Sequence, residues 1–170
     1  MNVIKTIGWA LLFLLTACVT DGDEPLTGQE LVVGDRIPDF EVVMNDGRRV
    51  SDEDLLGNVS LIAFFHTACK DCQQELPVLQ RFYEAYPQYP LICISREEGA
   101  DSVSAYWTKE GFTMPYSAQD DRTVYQLFAR QVVPRIYVVD AEGVIRYIYT
   151  DNPLVSFEEL EKVVFSVSGT

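Results

Sequence analysis

The sequence predicts an α/β sandwich, a mixed central sheet covered by helices on both faces. Three observations lead to this fold class. VSLIAFF at residues 59–65 and PLICIS at residues 90–95 are continuous apolar runs, as in strands buried on both faces. Each is followed by a segment whose apolar residues recur at three- and four-residue steps, as in amphipathic helices. Two further strand-like runs joined by a tight turn, and then a helix, close the chain.

The elements before the first core strand form a small unit. Residues 37–50 predict a β-hairpin whose turn lies at residues 45–47. Residues 51–54 resemble a capping box and predict a short helix that ends at Gly57.

The elements after that strand are predicted by their periodicity. Residues 69–86 predict a helix, and Pro77 inside it should kink the axis. The remaining elements are a helix at 101–110, a helix at 122–130, strands at 135–140 and 144–149, and a helix from Ser156 to Phe165. In sheets with parallel strands the functional residues usually lie at the carboxyl ends of the strands, so we expect the active site in the residues directly after VSLIAFF.

The composition is that of one globular domain with an acidic surface. The chain has 170 residues, of which 13 are basic and 26 acidic, for a formal charge of -13. Such a surface repels nucleic-acid phosphates and anionic membranes, so we expect no nucleic-acid partner. We interpret the charge as solubilising, and the steering of basic partners as the alternative.

The segment before the domain has the features of a targeting signal. Residues 1–17 combine a basic residue, a short apolar stretch and small residues, as signal peptides do. A permanent transmembrane helix is the weaker alternative because the apolar stretch is short. LTAC at residues 15–18 resembles the bacterial lipobox, which implies cleavage before Cys18 and lipid attachment to it. We expect a lipid-anchored tether at 18–34 and the domain at 35–170.

The sequence predicts different roles for the four cysteines. Cys18 is the lipidation site, and Cys93 lies among large apolar residues, as a buried small hydrophobe does. Cys69 and Cys72 remain as a pair, and His66 is the only histidine, so a zinc site would lack ligands unless carboxylates completed a weak one. A disulfide across so short a loop would add little stability.

A redox role accounts for the pair better. Cys69 should lie at the start of a helix, where unpaired N–H groups favour the thiolate and make it the nucleophile. Cys72, one helical turn later and more buried, can then attack the mixed disulfide that Cys69 forms with a substrate. Lys70 should support the thiolate and Asp71 should oppose it.

The stretch FFHTACKDCQQELP at residues 64–77 resembles the active-site segment of the TlpA/ResA-like branch of the thioredoxin superfamily. Its members are membrane-anchored thiol:disulfide oxidoreductases that work outside the cytoplasm. VGDRIPDFEV with DGRRVSDEDLLGNVSLIAFF, and VVPRIYVVDAEGVI at residues 132–145, also match, so the resemblance spans residues from about 33 to 150. It implies a thioredoxin-like sandwich with an N-terminal β-hairpin extension.

The resemblance also implies roles for residues outside the pair. Pro134 is expected to be the cis proline beside the thiols, which presents the Val133 backbone to an extended substrate strand. Glu75 shares a helix face with Cys72 and is expected to be buried, where a carboxylate can carry the proton of Cys72. A solvated glutamate is the alternative.

Three features depart from the family pattern. Ala68 stands where the family usually has Trp, which removes a flat apolar surface for the substrate. Lys70 and Asp71 separate the thiols without a proline, which bears on the redox potential. His66 occupies a position usually filled by a small residue. It could stabilise the Cys69 thiolate as imidazolium, or it could be an ordinary histidine at a strand end.

The sequence thus predicts an extracytoplasmic, lipid-anchored thiol:disulfide oxidoreductase that reduces protein disulfides. We expect a monomer with no cofactor beyond its Cys69–Cys72 disulfide, with protein substrates, an upstream thiol donor, and membrane contact through the lipid on Cys18. One alternative is a non-catalytic binding or scaffold lipoprotein of the same fold. A peroxiredoxin-like peroxidase is a weaker alternative, because the expected Thr or Ser and Pro before the cysteine are replaced by His66 and Ile62.

Overall fold

A computed structural model describes residues 28–169 of the chain. The predicted signal peptide and the lipidation site Cys18 lie outside the described residues. No helix between residues 28 and 169 is long and apolar enough to cross a membrane.

The described chain forms seven strands and four α-helices. The strands are β1 (Glu41–Val43), β2 (Arg49–Ser51), β3 (Ser60–Phe65), β4 (Leu91–Ser95), β5 (Tyr116–Ser117), β6 (Arg135–Val139) and β7 (Ile145–Tyr149). The helices are α1 (Lys70–Ala85), α2 (Ala100–Glu110), α3 (Thr123–Gln126) and α4 (Phe157–Ser168), with a 3-10 helix at Glu53–Leu55.

Five strands form a mixed sheet in the order β5-β4-β3-β6-β7. β3 pairs in parallel with β4, which pairs in parallel with β5, whereas β3 with β6 and β6 with β7 are antiparallel. β1 and β2 form a separate hairpin, as predicted. The mixed sheet with flanking helices confirms the predicted sandwich.

The apolar sequences of β3 and β4 follow from their places in the sheet. β3 is paired on both sides, and all six of its residues are buried. The five residues of β4 are buried as well. β7 is an edge strand, paired on one side only, and its middle residues are exposed. Full burial of β3 fixes the position of the segment that follows it.

Helix α1 carries the thiol pair on a partly buried face. Its apolar face presents Leu76, Leu79 and Phe82 to the core. Pro77 lies on the exposed side and α1 continues past it to Ala85; the predicted kink stays a prediction. The end of α1 packs on α4, where the ring of Tyr86 stacks on Phe157.

Three predicted helices differ from the observed ones. The helix after residues 51–54 is only a 3-10 turn, in which Asp54 accepts hydrogen bonds from the amide and hydroxyl of Ser51. α3 ends at Gln126 rather than residue 130, because the next carbonyls take partners outside the helix. The Phe128 carbonyl, for example, accepts from the Leu31 amide and the Tyr137 hydroxyl. α4 runs three residues beyond the predicted end.

The folded unit begins before residue 35. Leu31 is only 2% exposed and belongs to the hydrophobic core. The amides of Gln29 and Gly34 donate to the carbonyls of Gln126 and Ile145. Residues 29–34 are therefore part of the domain rather than of a tether, because one apolar side chain and several backbone hydrogen bonds fix them to it.

Candidate active site

The thiols lie at the carboxyl end of β3, where they were expected. Cys69 is the N-cap of α1, and its sulfur accepts a hydrogen bond from the Cys72 amide at 3.2 Å. This bond satisfies one of the unpaired N–H groups that every helix leaves in its first turn. The same thiol lies 3.3 Å from the carbonyl oxygen of Val133. Cys69 is half-buried and so remains open to a substrate.

Cys72 differs from Cys69 in its burial. It is 0% exposed, and burial, followed by its contact with Cys69, raises its pKa above the ordinary thiol value. Burial thus favours the neutral thiol form of Cys72 over its thiolate. Cys93 also lies in the core, 3.8 Å from the Met114 sulfur, and burial raises its pKa to about 12. All three are free thiols.

The loop before β6 faces Cys69. Its Val133–Pro134 peptide bond is cis, as the resemblance implies. Val132 has φ +77, in the left-handed region that β-branched residues rarely adopt, and its carbonyl accepts the Tyr125 hydroxyl at 2.8 Å. The loop thus brings the Val133 backbone against the Cys69 sulfur.

Glu75 is a buried carboxylate on the same face of α1 as Cys72. It is 2% exposed, and within the described residues neither of its oxygens makes a hydrogen bond of normal geometry. Burial raises its pKa to about 7, against a smaller opposing effect of the Val155 backbone. The expected burial is observed, and such a group can exchange a proton at neutral pH.

His66 is oriented by the backbone rather than by the thiols. Its Nδ1 accepts a hydrogen bond from the Ala68 amide at 3.1 Å and lies 3.6 Å from Glu98 Oε2. Glu98 in turn accepts from the Thr67 amide at 2.8 Å and from the Thr67 hydroxyl. This arrangement fixes the turn between β3 and Cys69.

A cleft of about 400 Å³ opens beside the Cys69 sulfur. Its lining residues are His66, Ala68, Cys69, Arg96, Val132, Val133 and Asp151. A larger cleft of about 820 Å³, lined by Asp140, Arg146 and Tyr147 among others, lies at the opposite end of the sheet and contains no cysteine. Within residues 28–169, no group of three or more His, Cys, Asp or Glu side chains could hold a metal.

Residues 33–148 match the AhpC/TSA family, which is more than half of the chain. The chain belongs to the AhpC/TSA family. It is 21% identical over 117 residues to thiol-disulfide oxidoreductase ResA of Bacillus anthracis, covering 68% of each protein. It is 27% identical over 120 residues to the thioredoxin-like protein YneN of Bacillus subtilis, covering 68% of this chain and 70% of the other. These relatives confirm the resemblance to ResA-like proteins.

Solved structures confirm a thioredoxin-like fold for this family member, to which β1 and β2 add an extra hairpin. A putative thiol:disulfide interchange protein DsbE from Chlorobium tepidum has a TM-score of 0.72 at 18% identity, covering 81% of this chain and 99% of that one. A putative protein disulfide isomerase from Bacteroides thetaiotaomicron also has a TM-score of 0.72, at 24% identity, covering 84% of this chain and 91% of that one.

In this AhpC/TSA protein the structure brings together most of the predicted site residues. Ala68 and His66 line the cleft, whereas Lys70 is exposed and Asp71 half-buried on the outer turn of α1, outside the cleft lining. Sequence reasoning missed Arg96, Glu98 and Asp151. The signal that could have found Arg96 and Glu98 is their position directly after β4, which ends at the same sheet edge as β3.

Proposed function

We propose that this protein is a thiol:disulfide oxidoreductase of the thioredoxin type, acting on the disulfides of other proteins. The observation that carries the proposal is the asymmetry of the pair. The Cys69 sulfur lies half-buried at a cleft and accepts the Cys72 amide at 3.2 Å, while the Cys72 sulfur is buried behind it. The names of the relatives, ResA among them, point to the same activity.

The exchange proceeds in two balanced steps. The Cys69 thiolate attacks one sulfur of a substrate disulfide, so that a mixed disulfide forms and the other substrate sulfur leaves as a thiolate that takes up a proton. Cys72 then loses its proton and attacks the Cys69 sulfur, which releases the second substrate sulfur. Two electrons pass to the substrate, and the protein is left with a Cys69–Cys72 disulfide. An upstream dithiol donor returns it to the reduced form.

Burial assigns different parts to the two thiols and to Glu75. The Cys72 amide strengthens its hydrogen bond to Cys69 when that sulfur is ionised, which favours Cys69 as attacking and leaving group. Cys72 needs a base because burial raises its pKa. Glu75, whose pKa burial raises to about 7, serves as that base. The substrate chain pairs with the backbone of Val133, next to Pro134.

The protein acts outside the cytoplasm, anchored by lipid on Cys18, in this proposal. The support is the signal-like sequence of residues 1–17 and the lipobox-like residues before Cys18. Gly28 lies ten positions after Cys18, so the chain from one to the other spans at most about 35 Å. Substrates would then be proteins close to a membrane surface, reduced by a monomer that needs no cofactor.

Trapping of partners in cells tests the function. Cys72→Ser keeps the attacking sulfur and removes the resolving one, so mixed disulfides on Cys69 should accumulate. Cys69→Ser should trap nothing. Cys93→Ser is the matched control, because that buried thiol lies outside the site and its loss should leave trapping unchanged. In vitro, the wild-type protein should reduce the interchain disulfides of insulin with a dithiol donor.

Two results would overturn the proposal. No trapped proteins together with slow alkylation of Cys69 at neutral pH would favour the scaffold alternative. Consumption of hydrogen peroxide without disulfide exchange would favour a peroxidase. The geometry argues against the peroxidase, because His66 occupies the position of the expected hydroxyl donor and its Nδ1 accepts the Ala68 amide.

A further inference from the structure

An extended segment, Gly28–Leu31, runs beside the residues that lead into the loop at Val132. The amides of Gln29 and Leu31 donate to the carbonyls of Gln126 and Phe128 at 2.8 and 3.0 Å. Gly28 has φ +127, and a Cβ there would lie 3.0 Å from the Gln126 oxygen. The positive φ and this close approach both favour glycine at the first described position of the segment.

Glu30 holds both ends of the loop at residues 130–134. At the start of the loop, its Oε2 accepts the backbone amide of Arg130 at 3.0 Å. At the other end, its Oε1 pairs with the guanidinium of Arg135 at 2.5 Å. The Arg135 side chain is only 8% exposed, and it also reaches the carbonyl of Gln131 at 3.4 Å. One carboxylate thus joins the two chain positions that frame Val132 and Val133.

We propose that Glu30 is a positioning residue for substrate binding, which acts by fixing the loop at residues 130–134 against Cys69. The inference rests on the proposed function, since it requires that substrate proteins pair with the Val133 backbone. It assigns the segment Gly28–Leu31 to the substrate-binding apparatus and not merely to the connection with the N-terminus.

The contacts inside the loop explain why its ends matter. Two hydrogen bonds hold the middle of the loop: the Tyr125 hydroxyl donates to the Val132 carbonyl, and the Cys69 thiol donates to the Val133 carbonyl. The second contact must be given up when Cys69 reacts. At that moment the position of the Val133 backbone depends on the first contact and on the anchored ends, which are the Arg130 amide and the Arg135 guanidinium.

Loss of the Glu30 charge should therefore affect large and small substrates differently. A peptide disulfide needs both Cys69 and an ordered Val133 backbone, whereas a small disulfide such as 2-hydroxyethyl disulfide needs only Cys69. In Glu30→Gln the buried Arg135 guanidinium loses its anionic partner, which loosens the end of the loop. We expect KM for the peptide to rise on the order of tenfold, with kcat and the rate on the small disulfide little changed.

The test uses the full chain and two probes, 2-hydroxyethyl disulfide and a short peptide with one intramolecular disulfide. Glu53→Gln is the matched control, because this exposed glutamate lies in the 3-10 helix, outside the cleft lining. Hydrogen exchange of the Arg130 amide should be faster in Glu30→Gln than in wild type and in the control. Should Glu30→Gln not fold, Glu30→Asp, which keeps the charge but shortens its reach, should show the same selective rise in KM.

The outcomes separate the two proposals. An unchanged KM for the peptide in a folded Glu30 variant, or an equal loss on both probes, would overturn the positioning role and leave the oxidoreductase intact. A wild-type protein that reduces neither probe would overturn the proposed function itself, and with it this inference.

Discussion

Two carboxylates are buried at opposite ends of the central sheet, and their surroundings differ. Glu75, near the thiol end, is 2% exposed, and neither of its oxygens makes a hydrogen bond of normal geometry among the described residues. Asp140, after β6, is 5% exposed and accepts hydrogen bonds from the amides of Glu142 and Val144 and from Arg146 Nε, at 3.0, 2.8 and 2.5 Å. The two carboxylates are therefore similarly buried, but only Asp140 is well hydrogen-bonded.

The pKa values of the two groups move in opposite directions. Burial raises the pKa of Glu75 to about 7. Burial alone would also raise the pKa of Asp140, but hydrogen bonds from Val144, Arg146 and Glu142 outweigh it and hold that pKa below its ordinary value. A carboxylate that shapes a turn is hydrogen-bonded and stays ionised, whereas a buried carboxylate without such bonds, one helical turn from Cys72, is suited to exchange protons.

The largest effect that follows from this contrast is expected in Glu75→Gln, on the rate at which the mixed disulfide is resolved. The amide cannot accept the Cys72 proton, so resolution of the mixed disulfide should slow by about 10²–10⁴-fold near neutral pH. In the wild type the rate should rise with pH as Glu75 ionises around its pKa of about 7. The variant should lose that rise. Stopped-flow measurement of the release of a bound peptide thiol across this pH range checks both points.

Glu53→Gln is the control for the rate measurement, since that carboxylate is exposed. Equal rates for wild type and Glu75→Gln at every pH would remove Glu75 from the mechanism. Proton transfer would then no longer explain why this carboxylate is buried.

The second effect is on the free energy of unfolding of the same variant. Since the pKa of Glu75 rises from 4.5 to about 7 on folding, ionised Glu75 destabilises the folded state by about 3 kcal/mol at pH above 8. Stability should therefore fall as pH rises between these two pKa values. Glu75→Gln lacks the ionisation, so it should be more stable than wild type at high pH and lose that advantage below pH about 4. Urea unfolding at several pH values measures this crossover.

The sequence predicted the sheet and the thiol pair because their signals are local. β3 and β4 are continuous apolar runs, and full burial in the sheet requires such runs. Cys69 and Cys72 follow β3 directly, so the end of that strand places them. The two-residue strand β5 has no comparable pattern, since so few residues cannot display a period. The capping-box pattern at residues 51–54 predicted a short helix, but it could not predict that the helix is only a 3-10 turn.

The parts of the site that the sequence did not predict depend on contacts between distant residues. Glu30 meets Arg135 across 105 positions, and Glu98 meets Thr67 across 31. Nothing near Glu30 in the sequence distinguishes it from the acidic residues of the preceding segment. Glu75 was predicted only with the help of the family resemblance, since helical spacing gives its face but not its missing hydrogen bonds.

The third effect concerns Asp140, the hydrogen-bonded carboxylate. Asp140→Asn keeps an acceptor for one amide but removes the negative charge that pairs with Arg146, so we expect a loss of about 2 kcal/mol in the free energy of unfolding at neutral pH. Because the pKa of Asp140 is lowered on folding, the stabilisation is present above the ordinary carboxyl pKa and lost as pH falls. The difference between variant and wild type should therefore shrink in acid.

Disulfide reduction by folded Asp140→Asn should match that of the wild type, because the residue lies at the end of the sheet away from the thiols. A large loss of activity at full folding would contradict the division between a structural and a chemical carboxylate. Denaturant titration and a turnover assay on the same samples provide the two readings.

The smallest effect comes from a second contrast between the same two ends of the sheet. In the β6–β7 turn the left-handed backbone position is filled by Gly143, at φ +80, whereas beside Cys69 it is filled by Val132, at φ +77. Relief of the strain by Val132→Gly should gain about 1–2 kcal/mol, and the added freedom of the unfolded chain should cost about 0.5–1 kcal/mol. The net change should be a slight stabilisation, unlike an ordinary loss of a valine side chain.

The matched variant at the other end is Gly143→Ala, whose new Cβ would meet Leu56 at 3.2 Å and retain a strained φ, so it should destabilise. Turnover distinguishes the two positions further. If the valine is retained because it stiffens the loop that meets the substrate, Val132→Gly should lower activity on a peptide disulfide while its stability holds or rises. Higher activity in the more stable variant would show instead that the strain at Val132 serves no purpose in binding.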